Sequence, residues 1–449
     1  MCALLKIEIT LCHALHKKNG GSYEIYVSFA DAMSRNPDIF TVAVVGAGPA
    51  GLMAALIAAR AGGRVLVCEQ LAEPGVRLLA TGGGHCNFTN TLGTDDFIRR
   101  FGDKGRFVAP AIKALDGNRL RLFFEELGVA SHSPDGFHVL PVSDSARSIR
   151  DALRQACRKL HVAFRLGRRV DGLQIDRGQV AGIMTSRGVE SAARVVLAAG
   201  GASYKSLGGG ESGFALARLA GHTITPLCPA LVPLVTLETW PATLAGITLP
   251  RVAVSLAFQG EANRTAIGSL LFTHKGISGP VVLDVSGMVS LALMTRASVG
   301  ILIDLAPDRT IEAWQGQIER SRKEHGAKTV LSVLASMLPA ALAKVVLEQA
   351  NVPADVSVAR LSREQSRKLV MRIKQLPLTV TATEGFGKAM VTKGGVSLAE
   401  VWPKTLESKR VHGLFFAGEI LDVDAPCGGF NLQWAFASGF LAAQNLSRR

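Results

Sequence analysis

The chain has no cysteine pattern of a kind that builds structure. Its seven cysteines, Cys2, Cys12, Cys68, Cys86, Cys157, Cys228 and Cys427, form no CxxC pair and no regular ladder. This excludes a disulfide framework, argues against structural zinc, and points to a reducing, cytoplasmic compartment. No His, Asp and Glu cluster has metal-ligand spacing, so no metal is expected. Long apolar runs are also missing. The longest, Thr41 to Gly62, contains Gly46, Gly48, Pro49, Gly51 and Arg60, which suit a strand, a turn and a helix better than a spanning helix. No membrane partner is expected, although mean hydropathy is +0.26. Acidic residues are in deficit, with 36 Asp and Glu against 50 Lys and Arg and a formal charge of +14. That balance suits a phosphate-rich cofactor, a nucleic acid or an anionic surface, or a basic surface that only keeps the chain soluble. There is no internal repeat and no low-complexity linker.

What is present supports more than one core. The chain has 449 residues, 48% of them hydrophobic, and at about 150 residues per domain roughly three domains are expected. Residues 1–38 read as an extension without a core face or a signal-peptide pattern, and Met33 reads as the initiator. From Phe40 the order becomes specific. Thr41-Val42-Ala43-Val44-Val45 is a β-branched run, Gly46-Ala47-Gly48-Pro49-Ala50-Gly51 a glycine turn, and Leu52 to Ala61 a helix. A second strand, Gly63 to Glu69, ends in an acid 18 residues after Gly51. This is the strand–turn–helix–strand context that a dinucleotide fingerprint requires. Gly46 permits the tight turn, Gly48 lets the backbone approach a pyrophosphate, Gly51 permits close helix packing, and the helix N-terminus attracts the anion. Glu69 would accept from the ribose hydroxyls and disfavours a 2′-phosphate, so the ligand is FAD or NAD rather than NADP.

The rest of the chain chooses between them. Strand pieces Val162–Leu166, Val170–Asp176, Val180–Ser186 and Ala193–Ala198 form a meander that returns to Ala199-Gly200-Gly201. Flavoproteins place such a sheet over the adenine. Near the C-terminus, Gly413 to Glu419 reads as a buried strand ending in Gly-acid, and Gly428-Gly429-Phe430-Asn431-Leu432-Gln433 opens a final helix. This pair would set a carboxylate beside the ribityl chain and a helix N-terminus against the flavin's pyrimidine edge, where its dipole stabilises the reduced ring.

With these blocks the chain resembles the BaiN-like and YhiN-like FAD-dependent flavoproteins, also described as NAD(FAD)-utilising dehydrogenases or the aminoacetone oxidase family. The resemblance runs from about Phe40 to Arg449. Its carriers are Val45 to Gly51, Arg77 to Asn90, Leu271 to Pro280, Val391 to Val396, and Gly418 through Gln433. His85 departs from it, because the family usually has Arg there. The implied fold is α/β: a two-dinucleotide-binding, glutathione-reductase-like FAD domain (39–203 and 385–449) with an inserted β-barrel plus helical subdomain (204–384). The barrel is expected at about 204–305 and 375–384, with strands at Ala253–Phe258, Gly268–Phe272, Val281–Val285 and Val299–Leu305. The helical part spans about 306–374, with helices at 310–325, 328–337, 340–350 and 361–374, the last opened by a Ser362/Gln365 capping box.

Cofactor contacts are expected at Gly46, Gly48, Pro49, Ala50 and Gly51; at Glu69 and Gln70; and at Arg77, Thr81, Gly82, Gly83 and Asn87. Further contacts are expected at Val170, Ala199 and Gly200, and at Gly418, Glu419, Asp422, Gly429, Phe430, Asn431 and Leu432. The flavin carries the redox step, and the protein orients a substrate and supplies a proton. Cys86 and His85 are the first candidates for that proton, followed by His274 and Cys427. Gly208 to Gly213 lacks a strand before it, so NADH or NADPH would bind only transiently, as electron donor. Three functions are open. The first is reduction of a conjugated C=C bond, for which the resemblance suggests uridine in ribosomal RNA. The second is a small-molecule reductase or amine oxidase, and the third a flavin-bound RNA-binding module without turnover. Residues 306–374 carry 12 Lys and Arg against 7 Asp and Glu, and Arg363, Arg367, Lys368, Arg372 and Lys374 share one helix. Positions 363, 367 and 374 fall on one face that could follow phosphates.

Overall fold

The structure, a computed structural model, describes residues 39–256 and 265–446. The expected extension 1–38 lies outside these residues, as do the last positions of the Ala253–Phe258 strand. The centre of the fold is a parallel sheet in the order Leu414–Phe416, Val195–Leu197, Val42–Val45, Val65–Cys68 and Ala163–Arg165. Val42, Ala43 and Val44 are fully buried. A parallel strand covered on both faces reads as a continuous apolar run, without the alternation of a half-exposed strand.

The helices Pro49–Arg60 and Phe430–Gln444 pack on this sheet. They cross so closely that a Cβ at Gly439 would strike the Ala50 carbonyl; within the turn, one at Gly51 would strike the Gly46 carbonyl. Two of the four expected meander strands, Val162–Leu166 and Ala193–Ala198, instead join the parallel sheet as Ala163–Arg165 and Val195–Leu197; the antiparallel meander is Val170–Asp176, Gln179–Thr185 and the unexpected Gly188–Ser191. The helix Ser212–Leu219 belongs to the same core through Phe214, Leu216 and Ala217. The first core therefore continues past position 203, where the sequence places the start of the insert.

A second core is built around a closed six-stranded barrel. Its order is Leu234–Thr236, Gly276–Ser278, Thr265–Thr273, Thr248–Leu256, Val299–Asp304 and Leu376–Thr383. The helices Ile311–His325, Val330–Ala335, Ala340–Ala350 and Arg363–Lys374 share that core through Trp314, Val333, Leu342 and Leu369. The Ser362/Gln365 capping box is present in both directions. One expected strand is overturned: Val281–Val285 lies inside the helix Pro280–Leu293. Val281, Val282, Leu283 and Val285 are β-branched or apolar and carry no period, which leaves strand and buried helix indistinguishable from pattern alone. The decision lies in Gly279, whose φ of 92° turns the chain, and in Pro280 at the first helical position.

Gly51→Ala is expected to destabilise the protein by about 3 kcal/mol, because the added methyl meets backbone that cannot move aside. Gly48→Ala, where a Cβ meets nothing within 4 Å, is expected to stay within about 0.5 kcal/mol in cofactor-stripped protein. Denaturant titration of both variants checks this.

Candidate functional site

A cleft of about 690 Å³ runs along the C-terminal ends of the parallel strands, where open α/β sheets hold ligands. One end is the glycine turn. Gly46 takes a φ of 98°, and a Cβ there would meet the Ala198 carbonyl. Gly48 is different: its φ is −75°, and a Cβ would point into open space. Nothing in the chain requires glycine at 48. The space beside it, at the N-terminus of the helix Pro49–Arg60, is a cradle that fits the pyrophosphate of a dinucleotide. Pro49 at the first helical position gives up an N–H that would lack a partner in any case.

Glu69 sits on the wall with each oxygen already accepting a backbone N–H, Oε2 from Ala47 at 2.7 Å and Oε1 from Leu71 at 2.9 Å. Its carboxylate therefore holds the turn in shape and still has lone pairs to offer ribose hydroxyls. Gln70 donates to the Gly208 carbonyl at 2.7 Å, closing the wall near Arg169 and Val170. The middle of the cleft is gathered by Glu419. Its carboxylate accepts from Arg77 Nη2 at 2.5 Å, Gly201 N at 3.2 Å and Thr392 N at 2.8 Å. A side chain at Gly201 would collide with both Glu419 and Thr392. At the far end Gly428 and Gly429, both with positive φ, open the last helix. Asn431 ties down the loop before it, accepting from Ala425 N at 3.0 Å and donating to the Ala425 carbonyl at 2.8 Å.

The cleft wall brings together Gly46, Gly48, Pro49, Ala50, Glu69, Gln70, Arg77, Thr81, Gly82, Gly83, Asn87, Val170, Ala199, Gly200, Gly418, Glu419, Gly429, Asn431 and Leu432. Three sequence-chosen cofactor residues lie off it. Gly51 is packed under the turn. Phe430 is 2% exposed and its ring packs on Phe97, with centroids 4.6 Å apart. Asp422 is ion-paired with Lys104 at 2.6 Å, in a cluster where Asp424 also meets Lys104 at 2.8 Å and Lys393 at 3.2 Å. Burial alone would raise the Asp424 carboxyl, but Lys104 and Lys393 outweigh it and hold it below the usual range.

The sequence-chosen proton donors fare differently. Cys86 is fully buried, in left-handed backbone at φ 62°, and belongs to the core; burial pushes its thiol up to about 12. His85 is exposed and faces Asp144 at 2.9 Å, off the cleft wall. His274 is in an exposed turn between two barrel strands. Cys427 does line the cleft. Burial first, then the neighbouring Asp284, pushes its thiol up to about 12, and its N–H donates to Asp284 Oδ1 at 2.8 Å. His138 also lines the cleft and was not among the residues that spacing selected. The signal available was Asp135-x-x-His138, a loop pair that no motif covers.

The basic helix of the insert is largely engaged within the fold. Lys374 Nζ meets Asp304 at 2.6 Å and the carbonyls of Ala306 and Arg309, Arg372 donates to the Gln349 carbonyl at 2.9 Å, and Lys368 pairs with Glu364 at 2.7 Å. Arg363 and Arg367 stay exposed. The face expected to follow phosphates thus keeps two of its three members. Among the described residues no helix is long and apolar enough to cross a membrane.

Two substitutions separate cradle from core. Gly48→Val should leave the fold intact and lower the bound FAD per chain by at least about 10², since its branches occupy the pyrophosphate's place. Cys86→Ala should instead cost about 1–2 kcal/mol of stability with little change in turnover per bound flavin. Flavin absorbance against protein, with turnover normalised to flavin, reads both.

Comparison with known proteins agrees with this architecture. The family model described as "HI0933-like protein Rossmann domain" matches residues 40–445. The chain is 35% identical over 416 residues to a 3-dehydro-bile acid delta(4,6)-reductase of Clostridium scindens, covering 91% of this chain and 99% of that protein. It is 31% identical over 412 residues to a ribosomal RNA dihydrouridine synthase of Escherichia coli, covering 91% and 98%. Among solved structures, 3-ketosteroid delta1-dehydrogenase from Sterolibacterium denitrificans shares the fold with a TM-score of 0.51 at 12% identity, covering 91% of this chain and 99% of that one. With its glycine cradle, Glu69 wall and Gly428–Gly429 helix start in one cleft, the chain belongs to the HI0933-like family and is an FAD-dependent oxidoreductase.

Proposed function

We propose that the protein reduces a carbon–carbon double bond conjugated to a carbonyl, and that the substrate is uridine in ribosomal RNA, which becomes dihydrouridine. The observation that carries this reading is chemical. Relatives that each match about nine-tenths of the chain are named for acting on a 3-dehydro-bile acid and on uridine. These molecules share little except a C=C bond polarised by a carbonyl. FAD, when bound, supplies the hydride for such a bond. The chain's own residues do the rest. Gly46, Gly48 and Glu69 hold the adenosine end, Glu419 sets the loops along the middle, and the Gly428–Gly429 turn presents a helix N-terminus whose dipole favours negative charge on the ring.

The RNA substrate is supported by the net charge of +14 and by exposed Arg363 and Arg367, and it implies a cytoplasmic enzyme working beside the ribosome. NADH or NADPH would reduce the flavin by entering from the substrate side. A second reading has its own support: Leu231, Met390, Val391 and Pro426 give one stretch of the cleft wall an apolar surface, suited to a steroid-sized enone.

Nucleoside mass spectrometry of ribosomal RNA from a gene-deletion strain tests the proposal. The expected outcome is loss of one dihydrouridine, restored by the intact gene and not by the Gly48→Val form. Unchanged dihydrouridine would overturn the RNA substrate, and turnover of a steroid enone by the purified protein would then favour the second reading.

A further inference from the structure

Reducing a polarised C=C bond takes a hydride and a proton, and the proton needs a donor on the cleft wall. The donors that spacing suggested are not there: Cys86 is buried, and His85 and His274 face elsewhere. Of the titratable groups on the wall, Glu69 and Glu419 are acceptors for backbone N–H groups. Tyr204 and Arg169 belong to the stretch near Gln70 and Gly208, at the adenosine end, as does Cys68 next to Glu69; Glu73 is paired with Arg150, Arg168 with Glu190 and Arg77 with Glu419. The Cys427 thiol is turned toward Asp284. His138 remains.

Its setting is a built one. His138 begins the strand His138–Pro141, whose hairpin partner is Ser131–His132. In the loop between them Asp135 Oδ1 accepts from Phe137 N at 2.9 Å and His138 N at 2.8 Å, while Oδ2 meets His138 Nδ1 at 2.5 Å. The Phe137 ring packs edge-on against the imidazole, with centroids 4.9 Å apart and planes at 82°. One carboxylate thus fixes both the loop and the ring. These three bonds, led by the one from the His138 side chain, hold the Asp135 carboxyl well below the usual range, so it is the ionised acceptor and Nδ1 carries a proton. Nε2 is the nitrogen left for a bound molecule. The hairpin also sits at the flavin-ring end of the cleft. His138 pairs with Asn90, whose Nδ2 donates to the Gly428 carbonyl at 2.7 Å, and Phe137 lies 3.0 Å from where a Gly428 side chain would begin.

We propose that His138, held by Asp135, is the acid that protonates the substrate carbon. The assignment rests on the C=C reading above. FAD, when bound and reduced, would supply hydride to the carbon β to the carbonyl; as the π bond breaks, its electron pair would take the proton that imidazolium Nε2 gives up at the α carbon. The ring is left neutral with its proton on Nδ1, still donated to Asp135. The side chain is 42% exposed, so water returns the proton to Nε2. His138 is a catalytic residue, whereas Asp135 is a positioning residue that acts through it.

The test uses FAD-loaded protein reduced anaerobically with one equivalent of dithionite. The reduced protein is mixed with ribosomal RNA from the deletion strain and, separately, with 2-cyclohexen-1-one, and flavin reoxidation is followed. His138→Gln and His138→Ala should keep their FAD but reoxidise about 10²-fold more slowly, and added imidazole should restore much of the His138→Ala rate. Asp135→Asn should lower the limiting rate about 10-fold, with the half-saturating acceptor concentration changed less than about 3-fold, because orientation and not binding is lost. Rates for both His138 variants within about 3-fold of wild type, normalised to flavin, would overturn the assignment and leave the C=C reading standing. A wild-type protein that neither acceptor reoxidises would overturn that reading and the assignment with it.

Discussion

The Glu419 carboxylate is the point on which the cleft depends. Three segments far apart in sequence donate to it: Arg77 from the loop after the second strand, Gly201 from the loop after the meander, and Thr392 from the strand that returns from the barrel. Glu419 follows the last strand of the parallel sheet, so its position is set by strand pairing with Val195–Leu197. A carboxylate with three donors around it is satisfied without water, and charge-assisted bonds of this kind are roughly twice as strong as neutral ones. The same carboxylate forbids a side chain at Gly201. Loop geometry, glycine choice and cleft shape therefore follow from one group.

The two cores divide the work. The first contains the sheet and both helices that cross near Gly51 and Gly439, and it fixes the cofactor end. The second joins barrel and helical insert into one apolar mass. Contact between the parts near the cleft combines an apolar cluster, Leu231, Leu283 and Val391 with Cys427 against it, and specific polar bonds. Asp284, on the helix Pro280–Leu293, accepts from Cys427 N beside the Gly428–Gly429 turn, and Lys393 reaches Asp424. Lys393 and Asp424 are largely shielded from solvent, where an unpaired partner would be costly; pairing makes the register of the C-terminal loop definite.

Glycine identity shows how structure can report a ligand that the chain itself does not contain. At Gly46, Gly51 and Gly439 the protein's own backbone explains the missing side chain. At Gly48 it does not, because neither φ nor any neighbour demands it. Open space beside Gly48 on the cleft wall leaves room for the pyrophosphate of a dinucleotide. Burial likewise separates Cys86, which is packed in the core, from His138, which lines the cleft.

Elements governed by local rules can be read from short stretches of the chain. The strand–glycine turn–helix from Val42 to Arg60, the acid at Glu69, the Val170–Asp176 and Gln179–Thr185 hairpin, and the Ser362/Gln365 cap were legible, because periodicity, turn chemistry and capping act over a few residues. The sequence left open whether Val281–Val285 is strand or helix, since a buried apolar run satisfies both. Only the tertiary structure decided which polar residues reach the cleft. Asp422 reads as a cofactor ligand until Lys104, 318 positions away, takes it, and Lys374 reads as a phosphate contact until Asp304 takes it. His138 carries no motif, and reaches the cleft wall through strand pairing with Asn90, which donates to Gly428. Partners chosen across such separations depend on how the chain packs, and no local pattern encodes that choice.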